Sequence, residues 1–289
     1  MQYTKILLHF NDSSNPWKDE AGNEWITSGS PTIQTTDAKF GSALRINNNY
    51  SCFIRNKNTI RFGDGDFTID FWHKSYYVRQ WGDLFAVTTR LDFANEGDNP
   101  TLFDVQMSSY SGNIQIHRPE NNQQNVLQVN VNPSQLHHYA IVYNSSLKTL
   151  SVYVDGVLNR SGSFTVRPID AYFCIGNDMS NSTENNNAAL FDEFRYSTCQ
   201  RWTSNFTPPA QQYIYGPYAQ FPDTRFGTYD KSPNGLKYRY RVRFEQGPYT
   251  TTSNVVNYET CQKLRLLMYL YKILIISIFL KTLKIRVVS

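Results

Sequence analysis

"FGDGDFTIDFWHK", Phe62 to Lys74, alternates in a way that decides the architecture. After a Gly-Asp-Gly-Asp turn, Phe67, Ile69 and Phe71 fall on one face of an extended chain, and Thr68, Asp70 and Trp72 on the other. Period two with bulky apolar residues on one side is the pattern of a half-buried strand. "HHYAIVYNSSLKTLSVYVDGVLNRSG", His137 to Gly162, repeats the signal three times: Tyr139 to Tyr143, Thr149 to Val154, then an Asp155-Gly156 hairpin turn into Val157 and Leu158. No helix-period segment of useful length precedes residue 260. Short strands parted by turns, with no βα alternation, predict an all-β chain folded as a two-sheet antiparallel sandwich or jelly roll.

Bulk properties agree with that class. The 289 residues suffice for one large β-domain plus an appendage, and 15% aromatic with only 18% charged residues fits an extracellular or virion-type β-protein. The formal charge of +4 is uneven, because six of the 28 basic residues (Lys263, Arg265, Lys272, Lys281, Lys284 and Arg286) follow Cys261 with no acid among them. The rest carries 22 basic against 24 acidic residues, a net of −2, so nucleic-acid binding by the main domain lacks its electrostatic basis. Cys52, Cys174, Cys199 and Cys261 show no metal-type spacing; they allow disulfides in three connectivities, with free thiols the preferred expectation. The opening "MQYTKILLHFND" alternates like a strand, with no signal-peptide pattern.

"YTKILLHFND", "KFGSALRINNN", "GDGDFTIDFWHK", "HHYAIVYN" with "LKTLSVYVDGVL", "FCIGND" and "LFDEFRY" follow one another in the order seen in laminin-G-like domains of the concanavalin A-like lectin/glucanase superfamily, which residues 1–209 resemble. The ending "DEFRYSTCQRWTSNFTPP" is similar to the version found in bacteriophage tail and appendage proteins. The resemblance implies a concanavalin A-like jelly roll that binds glycan or protein on its concave face or loop rim.

Two adjacent carboxylates, Asp192 and Glu193, pose the question of catalysis. In a regular strand neighbours point to opposite faces, so the pair cannot flank one glycosidic bond, which needs carboxyls about 5–9.5 Å apart on one side. The glucanase branch uses Glu-x-Asp-x-Glu, whereas the one Glu-x-Asp here, Glu96-Gly97-Asp98, runs into Pro100 and Thr101. A non-enzyme is expected. Alternation would put Asp192 with Leu190, Phe194 and Tyr196, as a latch to backbone N–H groups or as a calcium ligand, and Glu193 with Arg195 in a surface ion pair. Asn177, Asp178, Asp64 and Asp66 are the other candidate Ca²⁺ ligands, each also explicable by turn chemistry.

Sugar sites stack an aromatic ring on the pyranose face and fix hydroxyls with Asn, Asp or Arg. Candidates are Trp81 beside Arg79 and Asp83, the pair Tyr76 and Tyr77, and Tyr110. His137 and His138 open a strand with no Ser or Cys nucleophile motif nearby and read as structural.

Residues 210–260 form a short β-rich segment. "LKYRYRVRFEQGPYTTTSNVVNY" predicts a hairpin with Tyr238, Tyr240, Val242 and Phe244 opposite Arg239, Arg241 and Arg243, resembling the end of a fibronectin type III module. Residues 261–289 form a basic, hydrophobic tail. Its apolar run, Leu264 to Leu280, would serve as a helix for a membrane or a partner subunit, or is out-of-frame sequence; Arg265 and Lys272 interrupt it. The expectation for the whole is a carbohydrate-binding adhesion module of a phage or prophage tail, or of a bacterial surface appendage. It would meet cell-surface glycan or glycoprotein and other tail subunits, with contact to membrane only through the tail. A glycan-active hydrolase and a structural spacer are the alternatives.

Overall fold

Phe67, Ile69 and Phe71 do turn inward. The computed structural model describes residues 3–47, 52–77, 82–89, 101–108, 113–118, 123–177, 188–213, 215, 237–246, 249–252, 256–259 and 284–288, and every regular element among them is a strand. The chain runs through β1 (Thr4–Leu8), β2 (Trp25–Ser28), β3 (Thr32–Gln34), β4 (Ala43–Ile46), β5 (Phe53–Asn56), β6 (Ile60–Phe62), β7 (Phe67–Tyr77) and β8 (Gly82–Thr88). It continues through β9 (Thr101–Ser108), β10 (Asn113–Arg118), β11 (Gln123–Asn130), β12 (His137–Asn144), β13 (Thr149–Val154), β14 (Val157–Ser163), β15 (Ile169–Ile175) and β16 (Ala188–Ser197). One antiparallel sheet has the order β14-β13-β12-β7-β16-β4-β3 with β1 beside β16; the other has β11-β10-β9-β8-β15-β5-β2 with β6 beside β15. Together they make a jelly-roll sandwich.

Between the sheets Phe67 and Phe71 of β7 meet rings from both layers. Phe62 lies 5.0 Å from Phe67, and Phe85 5.4 Å and Phe194 5.7 Å from Phe71, centroid to centroid, and all are buried. Each ring removed from water contributes roughly 1.5–3 kcal/mol, which is why the alternation of these strands is so strict. The even-numbered residues of β7 (Thr68, Asp70, Trp72, Lys74 and Tyr76) therefore line the outer face of the first sheet.

β16 departs from strict alternation. Its register against β7 slips between Asp192 and Arg195, and Glu193 there has φ 54°, in the left-handed region that a non-glycine residue seldom adopts. One extra residue on one strand is a β-bulge, and it shifts the phase of the residues after it. Phe191, Phe194 and Tyr196 enter the core, while Asp192 opposes Trp72, and Arg195 opposes Asp70, on the outer face.

After β16 the chain crosses that outer face as a strap over residues 198–213. Trp202 and Phe206, stacked 4.0 Å apart, pack on Ala140, Val142 and Tyr153. Asn205 Oδ1 accepts the Leu158 N–H at 2.8 Å, and the Gly156 carbonyl accepts the Phe206 N–H at 2.8 Å.

The chain divides into two compact units, Met1–Pro222 and Asp223–Ser289. In the second, β17 (Lys237–Gln246) pairs with β18 (Tyr249–Thr252), the hairpin anticipated from the sequence. It also pairs with β19 (Val256–Glu259) and β20 (Lys284–Val288). The described part of the basic tail is thus a strand, while the apolar run Leu264 to Leu280 lies outside the described residues. Among the described residues no helix is long and apolar enough to cross a membrane.

Candidate functional site

The adjacent carboxylates belong to the scaffold, by a route that strand alternation did not foresee. Because of the bulge, Glu193 is fully buried rather than paired with Arg195 on the surface. Its Oε1 lies 2.7 Å from His9 Nδ1, and its Oε2 accepts the Tyr213 N–H at 2.7 Å. Arg195 instead forks onto Asp70, Nε to Oδ1 at 2.9 Å and Nη2 to Oδ2 at 2.7 Å, with Tyr213 stacked 3.9 Å from the guanidinium. Burial alone would raise the Asp70 carboxyl, but the guanidinium holds it well below the usual carboxylate range. His138 is buried in the same network, 2.8 Å from the Tyr213 hydroxyl. His137 faces Asp155 at 2.6 Å. Both histidines brace the strap and the hairpin turn.

Asp192 shares its face with Leu190 and Arg195, not with Phe194 and Tyr196 as alternation predicted. Its Oδ2 accepts two backbone N–H bonds, from Lys39 at 2.8 Å and Phe40 at 2.9 Å. It is a latch on the loop between β3 and β4. Among the described residues its other oxygen, Oδ1, is buried without a hydrogen-bond partner, and no group of three His, Cys, Asp or Glu side chains could hold a metal ion. Burial pushes the Asp192 carboxyl up to about 7, the Glu193 charge adds to this, and the two amide bonds oppose it. A group whose pKa is raised on folding, from about 3.9, stabilises fully below that value and loses its contribution as pH rises through 7. Asp192→Asn is expected to flatten the fall in stability between pH 4 and 7, whose slope from this group reaches at most about 1.4 kcal/mol per pH unit; urea titrations of both proteins across that range measure it.

Of the other metal candidates, Asp66 accepts the Ser145 N–H and hydroxyl, each at 2.8 Å, and the Gln200 amide at 2.9 Å, while Asp64 pairs with Arg61 at 2.7 Å. Neither makes the local backbone bonds of turn chemistry: Asp66 ties the turn before β7 to the distant Ser145 and Gln200, and Asp64 makes a side-chain ion pair. Asn177 is buried just after β15, and Asp178 lies outside the described residues.

Of the sugar candidates, Arg79, Trp81 and Tyr110 also lie outside the described residues. Asp83, on β8, is level with Gln106 of β9, Gln115 of β10 and Gln128 of β11, a row of one carboxylate and three amides across four strands. Asp83 is only 1% exposed, so this row presents little of its carboxylate to a ligand.

Tyr76 is different. It is 39% exposed at the end of β7, and it forms one corner of the first sheet's outer face with Gln34, Asp37, Arg45 and Lys74. The Arg45 guanidinium lies 3.7 Å from the ring centroid. Arg45 belongs to β4, two strands away and roughly 9–10 Å across the sheet, a span that both long side chains cover over the Ala188-Ala189 start of β16. The Tyr76 hydroxyl donates to Asp37 Oδ2 at 2.7 Å and accepts from Gln34 Nε2 at 2.7 Å, and Lys74 Nζ reaches the same Asp37 oxygen at 2.8 Å. Bonds from Lys74 and Tyr76 keep the Asp37 carboxyl below its ordinary value. Next to this group, exposed Lys39 sits 4.1 Å over the Trp72 ring.

The latch now has a purpose beyond stability. Asp192 ties down Lys39 and Phe40, and that loop carries Asp37, which orients the Tyr76 ring. Tyr77, 51% exposed, is the next residue, and alternation turns it to the other face. Continuing the β7 alternation past Lys74 would have placed Tyr76 with Trp72 from sequence alone. Arg45, Gln34 and Asp37 carried no such signal, because only strand order brings β3 and β4 near β7.

The family model Laminin_G_3, of the concanavalin A-like lectin/glucanases superfamily, matches residues 47–201, more than half of the chain. Among solved structures, the binding domain of Paraclostridial Mosquitocidal Protein 1 is similar at 15% identity and TM-score 0.50, over 90% of this chain and 68% of that one. A structure of botulinum neurotoxin type C, whose cell entry is described as dependent on interaction with two ganglioside molecules, is similar at 10% identity and TM-score 0.51, over 68% of this chain and 48% of that one. The botulinum neurotoxin serotype D/C binding domain matches at 11% identity and TM-score 0.50, over 68% and 49%. This chain thus spans about half the length of the two neurotoxin chains, and at such identities the likeness is one of fold. A search of curated proteins finds no match.

Proposed function

The chain belongs to the concanavalin A-like lectin/glucanases superfamily, and on that premise we propose that it is a non-catalytic carbohydrate-binding module whose ligand site is the Tyr76 corner. The observation that carries the reading is the exposed Tyr76 ring, clamped by Arg45 and by hydrogen bonds from its hydroxyl. A pre-set aromatic face flanked by donors and an acceptor suits a sugar, which offers an apolar ring face and a rim of hydroxyls. A glycosidase of the usual kind needs two carboxyls across the bond, and this corner holds one, Asp37, already engaged by Lys74 and Tyr76. The ganglioside interaction described for the type C neurotoxin supports glycan binding on a related fold.

The finer setting is a phage or prophage tail, or a bacterial surface appendage, where the module meets cell-surface glycan or glycoprotein and other tail subunits. It rests on the resemblance of the ending "DEFRYSTCQRWTSNFTPP". Because the corner is positioned by hydrogen bonds and by the Asp192 latch, binding there is proposed to be independent of calcium.

The test is a glycan array probed with the full chain, with calcium and with EDTA, beside Tyr76→Ala. Saturable binding that survives EDTA and weakens at least tenfold in the variant is expected, since loss of a stacking ring costs on the order of 1.4 kcal/mol or more. Unchanged binding by Tyr76→Ala would move the site elsewhere, with the Asp83 row next in line. A folded protein that binds nothing would make the domain a spacer.

A further inference from the structure

The Tyr76 corner has a charge imbalance that narrows the ligand. Three cations, Lys39, Arg45 and Lys74, stand around one surface carboxylate, Asp37, which is consumed by Lys74 and the Tyr76 hydroxyl, while the buried Asp192 is bonded to the Lys39 and Phe40 amides. Among the described residues neither Arg45 nor Lys39 has a carboxylate within ion-pair distance, and Arg45 Nη1 is buried without an acceptor. This surplus sits on a domain whose overall charge is slightly negative once the basic tail is set aside. A buried guanidinium nitrogen without an acceptor is rare, because stripping such a group of water is costly.

The placement of Arg45 adds shape to the charge. Its guanidinium lies over the Tyr76 ring, 3.7 Å from the centroid. Contact of that kind occupies one flat side of the guanidinium and leaves N–H bonds in its plane for a planar partner. A carboxylate fits that fork bidentately, which an ammonium group cannot imitate. Lys39, exposed on the latched loop over the Trp72 ring, supplies a second charge on the same face. A neutral sugar would leave both cations unanswered.

Resting on the reading of this corner as a glycan site, we infer that its ligand is an acidic sugar, one whose carboxylate is received by Arg45 while Tyr76 packs against the sugar ring. Attraction between exposed charges weakens with salt, so affinity for such a ligand should fall as ionic strength rises, and affinity for a neutral one should not.

The experiment is calorimetric or fluorescence titration of the full chain with an oligogalacturonate, with its carboxyl-reduced neutral counterpart and with a sulfated oligosaccharide of equal length. Wild type is compared with Arg45→Lys and Tyr76→Ala, thermal midpoints being checked for all three proteins. The inference expects the carboxylated probe to bind roughly tenfold or more tighter than the reduced one, with that preference lost in Arg45→Lys although the charge is kept. Equal binding of carboxylated and reduced probes, lost in Tyr76→Ala, would overturn the acidic-sugar inference and leave the glycan-binding module standing. Sulfated and carboxylated probes bound alike, and unaffected by Arg45→Lys, would show attraction to charge in place of planar recognition and overturn it as well. If none of the three binds, the inference fails, and the array alone decides the broader reading.

Discussion

Replacing Arg195 by Ala is expected to destabilise the first unit by about 3–5 kcal/mol, the usual cost of leaving one partner of a buried ion pair alone. Asp70 is fully buried beneath the strap, and both its oxygens receive Arg195 nitrogens, at 2.9 and 2.7 Å. With the guanidinium gone, His138, 3.7 Å from Asp70 Oδ2, and the charge of Arg201 are left to oppose the effect of burial, and the carboxyl must hold a poorly paired charge or take up a proton. The variant should therefore regain part of its stability between pH 7 and pH 4, where a carboxyl with a raised pKa favours the fold. Wild type should gain nothing there from this carboxyl, since one held low stabilises above about pH 3.9 and loses that contribution only as pH falls further. Urea denaturation of the full chain, read by tryptophan fluorescence at pH 4 and 7, measures both. A loss under about 1 kcal/mol at pH 7 would mean that the pair is not the clasp described. The double variant Asp70→Leu/Arg195→Met, which removes both charges at similar volume, is expected to recover most of the deficit.

Gly156→Ala should be nearly as damaging, through the backbone. Gly156 has φ 79° and follows Asp155 at φ 49°, so both central residues of the hairpin turn are left-handed, as a tight two-residue turn demands. A Cβ at Gly156 would overlap the Phe206 carbonyl oxygen, and the same strap residue donates its N–H to the Gly156 carbonyl at 2.8 Å. Adding one methyl group thus forces the strap away from the turn and opens the Trp202–Phe206 stack. About 3 kcal/mol is expected, of which the left-handed backbone accounts for roughly 1–2. Gly22→Ala is the control: φ is 86°, but nothing lies within 4 Å of the added carbon, so only the backbone cost should appear. Equal losses in the two variants would mean that the strap does not depend on this contact. A red shift of tryptophan emission and new proteolytic cuts between residues 200 and 213, in Gly156→Ala only, would show that it does.

Both predictions concern the strap and the strand before it, whose local pattern was misleading. Alternation along "LFDEFRY" assigned Asp192 to the face of Phe194 and Glu193 to solvent, and each assignment fails at one residue, Glu193. Nothing in a Glu between Asp and Phe announces a left-handed backbone. The bulge is held by partners far along the chain, His9 on one side and the Tyr213 amide on the other. The ground that alternation offered against a catalytic pair is therefore gone; what the structure shows instead is Glu193 bonded to His9 and the Tyr213 amide, and Asp192 Oδ2 bonded to two backbone N–H groups.

By itself the sequence determined what depends on nearest neighbours: which segments are strands, which of their faces is apolar, where Asp155-Gly156 turns, and that the class is an all-β sandwich. Burial of bulky side chains at every second position is strong enough to write those features into local order. Only the tertiary structure decided what depends on strand order and register. It placed β16 between β7 and β4, so that Tyr76 meets Arg45 and, 42 and 39 residues away along the chain, Gln34 and Asp37. It also showed which backbone groups Asp192 latches, the Lys39 and Phe40 amides of the loop that carries Asp37. Polar side chains on an outer face contribute little to the periodicity that specifies a strand, so their partnerships are settled by the packing of distant segments.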